Sequence, residues 1–279
     1  MNLEPFPSQH IGDYTLTALS DGYLPAPLTL LSNIDPDTAT QLHLAAGMTD
    51  PAAIHINSYL LRGRGRTVLI DAGAGGYKQW GGDLQANLAR AGVLASEVDT
   101  VLLTHAHPDH IGGLLDASGA LAFPHAALRV HQDELAFWLD DAHLARANER
   151  AQGNFFAGTQ GVRAIPRADA AICRWRSPAR HQRRGLAGAH RRHSGFRVDG
   201  AARSVLVWGD IVHFPQIQIA RPEVSIAFDL DPLQAAGTRA RLLDRVSADR
   251  LLIAGMHLGE LGFGYIERVG KTYQLAYAN

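Results

Sequence analysis

Between Thr104 and His110 the chain reads Thr104-His105-Ala106-His107-Pro108-Asp109-His110, three histidines and one aspartate in six positions. In an extended segment residues i and i+2 point the same way, so His105 and His107 can grip one cation. Pro108 sets a turn, after which Asp109 and His110 can face a second cation beside the first. Imidazole and carboxylate together suit zinc, and also iron, manganese or cobalt. Two such ions about 3.5–4 Å apart can share a hydroxide, lower its pKa and polarise a carbonyl or phosphoryl oxygen. The plain alternative is a polar loop with exposed histidines. It fits poorly, because the almost wholly apolar run Val98–Thr104 leads straight into the cluster.

The rest of the chain must hold these groups still. Its 279 residues allow one large domain or two small ones. With 46% apolar and 19% charged residues it can bury a substantial core, which excludes a disordered chain. A formal charge of −1 gives no electrostatic case for nucleic acid or an anionic membrane. The single cysteine, Cys173, excludes a disulfide framework and a cysteine-based zinc module. The N-terminal residues lack a basic region followed by an apolar one, and no apolar run is long enough to span a bilayer. The expectation is a cytoplasmic protein acting on a small molecule, with no nucleic-acid or membrane partner and a homodimer as the candidate assembly.

Alternation at residues 13–24 predicts a strand, and a surface excursion with a short helix near Asp37–Ala46 follows. Ile54–Leu61 and Thr67–Asp71, separated by Arg62-Gly63-Arg64-Gly65-Arg66, predict a hairpin ending in a glycine-rich loop. Asp83 is the expected N-cap of a helix over Leu84–Ala91, closed by Gly92. Short strands are expected at Val98–Thr104 and Ala127–His131, and one helix over Asp133–Arg150. Phe196–Val198 and Ser204–Asp210 predict a second hairpin around Asp199-Gly200. A helix over Asp231–Ser247, a strand over Arg250–Met256 and two alternating runs around Gly270 complete the pattern. Strands and helices alternate in both halves, an α/β class with much antiparallel pairing. The walls of any pocket are expected from the loops at 22–50 and 131–165.

The run at 105–110 resembles the H-x-H-x-D-H signature of the metallo-β-lactamase superfamily, and the resemblance extends over nearly the whole chain. Leu69-Ile70-Asp71-Ala72-Gly73 is similar to that family's strand-end aspartate motif, Trp208-Gly209-Asp210 to its bridging-aspartate strand, and Ala254-Gly255-Met256-His257 to the motif of its last histidine. The resemblance implies one domain over 1–279, with residues 1–50 forming an N-terminal strand and extension. The implied fold is an αββα sandwich of two mixed β-sheets face to face, helices outside, with metals at one edge. It assigns His105 and His107 to a first metal, Asp109, His110 and His257 to a second, and Asp210 as the bridge. Asp71 would orient a ligand or the loop. Leu19-Ser20-Asp21-Gly22 with its proline-containing extension resembles the lactonase and organophosphate-hydrolase branch. Some lactonases there carry a tyrosine three residues after the bridging aspartate; His213 stands at that position and could donate to a developing oxyanion, or be a polar loop residue.

One segment departs from the family. The expected histidine of a G-H-T-P-G-H-like motif falls on Ala189, with His190 one residue late. Residues 163–192 carry nine Arg and one Asp, against 17 basic and 26 acidic residues elsewhere. A basic patch for nucleic acid is one reading of that aberrant segment. A local frame shift is the other, since Arg supplies 24 of the 26 basic side chains, as GC-rich coding would. The function expected is a metal-dependent hydrolase, with two divalent ions, zinc foremost, a metal-bound hydroxide attacking a lactone, ester or related bond, and Asp109 shuttling a proton. The alternatives are an oxygen- or sulfur-handling oxidoreductase on the same fold and a metal-poor, inactive homologue.

Overall fold

The computed structural model describes residues 6–48, 53–146, 184–185 and 193–278. In chain order its strands are β1 (Ser8–Ile11), β2 (Tyr14–Pro25), β3 (Leu31–Ser32), β4 (Ala53–Gly63), β5 (Arg66–Ile70), β6 (Thr100–Leu102) and β7 (Ala127–Arg129). They continue with β8 (Arg184–Gly185), β9 (Ser194–Asp199), β10 (Ser204–Val207), β11 (Ser225–Ile226), β12 (Leu252–Ala254), β13 (Phe263–Val269) and β14 (Thr272–Tyr277). One sheet runs β1-β2-β4-β5-β6-β7 and the other β14-β13-β12-β10-β9-β8, while β3 pairs with β11 on its own. Both large sheets are mixed. The first is antiparallel through β5 and then parallel from β5 to β6 to β7; the second is parallel only between β10 and β12.

Period-two alternation explains the layers. Tyr59, Leu61, Val68, Ile70 and Leu102 of the first sheet meet Val205, Val207, Leu252, Ala254 and Phe263 of the second in the central core. Their neighbours Leu60, Leu69 and Val101 turn outward onto Leu84 and Leu88 of the helix Leu84–Arg90 and onto Trp138. On the far side Leu206 and Ile253 turn outward onto Leu242, Leu243 and Val246 of the helix Pro232–Ala248. The order is helix, sheet, sheet, helix: the αββα sandwich. Because both faces of each central strand are covered, these strands read as unbroken apolar runs. Among the described residues no helix is long and apolar enough to cross a membrane.

Several expectations hold at residue level. The β4–β5 turn is Arg64-Gly65, both at positive φ (49° and 71°), as a two-residue hairpin loop requires. The helices expected near 37–46 and over 231–247 form as Pro36–Ala45 and Pro232–Ala248; the structure adds their caps, Asp35 accepting from Thr38 N–H (2.8 Å) and Asp231 from Gln234 N–H (3.0 Å).

Three expectations are corrected. Asp83 makes no side-chain cap; the Leu84 N–H donates instead to Asp21 Oδ1, 2.9 Å away and 63 positions earlier in the chain. Over its described part the helix expected at 133–150 is two, Gln132–Trp138 and Asp141–Arg146, with Asp140 Oδ1 accepting from Ala142 N–H (2.8 Å) where the second begins; residues 147–150 lie outside the described residues. The strand expected at 98–104 shortens to β6: Leu103 N–H still reaches the Arg129 carbonyl (2.9 Å), but Thr104 N–H goes to Asp71 Oδ1 (2.7 Å) rather than to a strand.

Candidate metal centre

Three chain segments converge where β6, β10 and β12 end on the same side of the sandwich. Beyond β6, His107 precedes a one-turn helix, Pro108–Ile111, with proline at its first position. That turn swings Asp109 and His110 back toward His105. Beyond β10, Gly209 (φ 62°) turns Asp210 inward. A Cβ at Gly209 would lie 2.1 Å from His193 Nε2, so glycine alone fits between them. Beyond β12, His257 follows Gly255, whose carbonyl and that of Gly262 receive the Tyr59 hydroxyl (2.9 and 2.6 Å).

The structure brings His105, His107, Asp109, His110, Asp210, His213 and His257 together. Asp210 Oδ2 lies 3.1 Å from His110 Nε2, 3.5 Å from His105 Nε2 and 3.3 Å from His213 Nε2, and its Oδ1 lies 3.2 Å from His257 Nε2. Asp109 Oδ2 sits 3.4 Å from His110 Nε2 and 3.6 Å from His257 Nε2. His107 Nδ1 faces His105 Nε2 at 3.0 Å. Two sets of atoms are close enough to hold an ion: Asp109, His110, Asp210 and His257, and His105, His107 and Asp210. Asp210 belongs to both. Ala189, His190 and most of the Arg-rich segment lie outside the described residues.

The hydrogen bonds behind these rings decide which nitrogen faces inward. His110 Nδ1 donates to Asp71 Oδ2 (2.7 Å), and His257 Nδ1 donates to the His55 carbonyl (2.8 Å). Thr104 Oγ1 donates to the same Asp71 oxygen (2.7 Å), which leaves it to accept from His105 Nδ1 (3.0 Å). Asp71 thus sets two rings, one directly and one through a hydroxyl. Each presents its Nε2 lone pair inward, as metal ligation requires. Asp71 is itself held at φ 60°, with Oδ1 taking the Thr104 N–H (2.7 Å); an aspartate tolerates that left-handed conformation better than most residues.

The donor set fits divalent cations. His257 Nε2 and Asp210 Oδ1 are buried and close, yet neither makes an aligned hydrogen bond among the described residues. Lone pairs of nitrogen and carboxylate oxygen packed this tightly need a shared cation or a shared proton. In the metal-free chain the proton serves. Burial alone would lower the His110 and His257 pKa values, but the carboxylates of Asp210 and Asp109 outweigh it and raise both. Burial opposes ionisation of Asp210 as well, and His110 and His257 overcome it, holding the carboxyl well below its usual range. His105 goes the other way, lowered by burial and by the neighbouring His110 charge, so its ring stays neutral.

Three groups have a positioning role that the sequence does not assign, although Asp21 lies in Leu19-Ser20-Asp21-Gly22 and His193 closes the G-H-T-P-G-H-like stretch. Glu134, on the helix Gln132–Trp138, is wholly buried and accepts from Ala106 N–H (2.8 Å) and Trp138 Nε1 (2.7 Å), clamping the peptide between His105 and His107. His193 Nε2 accepts from Asp210 N–H (3.1 Å). Asp21 accepts from Ala74 N–H (2.7 Å) as well as Leu84 N–H, tying the glycine-rich loop to the helix behind it.

The centre opens into a cavity of about 360 Å³. Its floor is His107, Asp109, Asp210, His213 and His257, and its walls include Leu24, Leu30, Ile54, Trp80 and Phe228. The wall expected from 22–50 is present. The described part of 131–165 does not line this cavity; Lys78, Trp80 and Phe228 take that place.

This is the fold and site of a family, and the chain belongs to it: the Metallo-beta-lactamase superfamily matches residues 52–257. Among solved structures the chain resembles the hydrolase AbOPH of the beta lactamase superfamily, with 27% identity, TM-score 0.86 and coverage of 100% and 99% of the two chains. It also shares its fold with AidC, a dizinc quorum-quenching lactonase solved with a product, at 21% identity and TM-score 0.90 over 100% and 99%. Uncharacterized protein YobT of Bacillus subtilis (strain 168) is 37% identical over 95 residues, 34% of this chain and 37% of that protein. The match therefore spans little more than a third of that relative's length.

Proposed function

We propose that this chain is a metal-dependent hydrolase, with two divalent cations, zinc foremost, acting on a lactone or ester of a small molecule. The observation that carries the reading is the pair of ligand sets sharing Asp210 at the floor of an apolar-walled cavity. Cations held there supply Lewis acidity for a carbonyl oxygen and depress the pKa of water. The protein's own groups supply the rest. Leu24, Leu30, Trp80 and Phe228 exclude water from the acyl portion and leave the carbonyl to face the polar floor. Asp109, on the cavity floor beside His110 and His257, can take a proton from water and return it to the leaving alcohol.

His213 can donate from Nε2 to the carbonyl oxygen as it gains charge. Its ring is fixed by stacking on His257 (5.1 Å, 22°), and Gln218 Oε1 fixes its backbone by accepting from His213 N–H (2.7 Å). The test is hydrolysis of γ-lactones and aryl esters by zinc-loaded protein in a pH-stat. Turnover is expected, falling roughly 100-fold in His213→Ala, the scale of a lost oxyanion donor. Equal activity in that variant removes the donor role, and no turnover on any lactone or ester overturns the reading.

A further inference from the structure

The cavity has a polar floor and a greasy wall, but one permanent cation stands on that wall. Lys78 is one of only two lysines in the chain, the other being Lys271 in the distant β13–β14 turn. Arg64 and Arg66 are neutralised by Asp13 and Asp99. Lys78 forms no ion pair with any described residue; its Nζ lies instead 5.4 Å from the Tyr77 ring centroid and 5.8 Å from that of Trp80. Two aromatic faces hold an ammonium in place without cancelling its charge, so its N–H donors remain available to an anion.

The backbone places it at some cost. Lys78 (φ 49°) and Gln79 (φ 67°) are consecutive non-glycine residues in the left-handed region, flanked by Gly75, Gly76, Gly81 and Gly82, all at positive φ. Such strain persists only where the surroundings over-determine it. Here they do. A Cβ on Gly75 would strike Gly112 and Gly113, just beyond His110, and one on Gly81 would strike the Asp21 carboxylate. The loop bearing Lys78 is therefore registered against the metal-centre turn itself.

We infer that Lys78 selects substrates carrying a second, anionic group, a carboxylate on the acyl arm of the ester or lactone. The inference rests on the hydrolase reading and deepens it. The acyl chain spans the apolar wall, its carbonyl lies at Asp210 and His213, and its remote carboxylate meets the Lys78 ammonium. In the favoured reaction the oxygen of water bonds to the carbonyl carbon and the bond to the alcohol oxygen breaks. One water proton leaves with the alcohol, the other is released as the new carboxylate forms, and the remote carboxylate is unchanged.

Two measurements test this. The first compares kcat/KM for phenyl hydrogen glutarate and phenyl butyrate in zinc-loaded wild-type, K78R, K78M and K78E proteins. A preference for the anionic ester of roughly threefold to tenfold is expected, the scale of one partly exposed charge-assisted contact. K78R should retain it, K78M abolish it through KM, and K78E reverse it. The second titrates monomethyl and dimethyl glutarate into metal-free wild-type and K78M proteins by NMR. The monoester should bind more tightly to wild type only. A preference that persists in K78M, or tighter binding of the diester to wild type, overturns the inference. If neither ester is hydrolysed the hydrolase reading fails, and the titration still decides the role of Lys78.

Discussion

Asp71→Asn removes one charge and almost no volume, and asparagine tolerates the φ of 60° that this position imposes. Its consequence follows from three contacts. Asp71 Oδ1 accepts from Thr104 N–H, and Oδ2 accepts from Thr104 Oγ1 and His110 Nδ1, each at 2.7 Å. An amide can keep Oδ1 for the backbone donor, but its NH₂ then replaces Oδ2 and faces two donors. His110 can adapt by moving its proton from Nδ1 to Nε2, the nitrogen 3.1 Å from Asp210. The Thr104 hydroxyl can turn to donate to His105 Nδ1, moving that ring's proton inward too. Both changes occupy the lone pairs a cation needs. Loss of such a ring-orienting partner weakens metal binding by about 10- to 100-fold, or about 1.4–2.7 kcal/mol. Zinc affinity measured by competition with a chromophoric chelator at neutral pH reads this directly, with circular dichroism as a check on folding. A folded D71N protein that binds zinc within twofold of wild type would refute the tautomer argument.

Gly209→Ala places a Cβ 2.1 Å from His193 Nε2 at a φ of 62°; the expected loss is roughly 2–4 kcal/mol in urea unfolding, and a loss below about 0.5 kcal/mol would show that His193 has room to move. Burial lowers the His55 pKa from 6.5 to about 4, so the unfolded chain binds the extra proton between those values. Its contribution is whole above pH 6.5 and is lost as the pH falls toward 4, by about 3 kcal/mol. The difference in unfolding free energy between metal-free wild type and His55→Asn should change by that amount across the window; parallel curves would contradict it.

Much of this was legible in the chain because it is local. The hairpin around Arg64-Gly65, the paired runs around Gly270, the long helix after Asp231 and the apolar central strands each announce themselves within a few residues. The metal cluster is legible for the same reason, since His105, His107, Asp109 and His110 are neighbours, and the order of Asp210 and His257 along the chain completes it. What was hidden depends on partners far away. Asp83 has the right type and place for a cap, but Asp21 reaches the helix first from the adjacent strand. Glu134 reads as a surface residue of an amphipathic helix, and only the packing of that helix brings it to Ala106 N–H. Gly209, between Trp208 and Asp210, carries a faint signal whose cause is the His193 ring arriving from the residue just before β9.

Asp210 is proposed to serve two cation sites at once. Elemental analysis of protein purified without chelator tests it most directly, with Asp210→Ala beside wild type. Two divalent ions per chain are expected in wild type, and loss of both when the shared carboxylate is removed. One ion or none in wild type, or two retained in Asp210→Ala, would contradict the account.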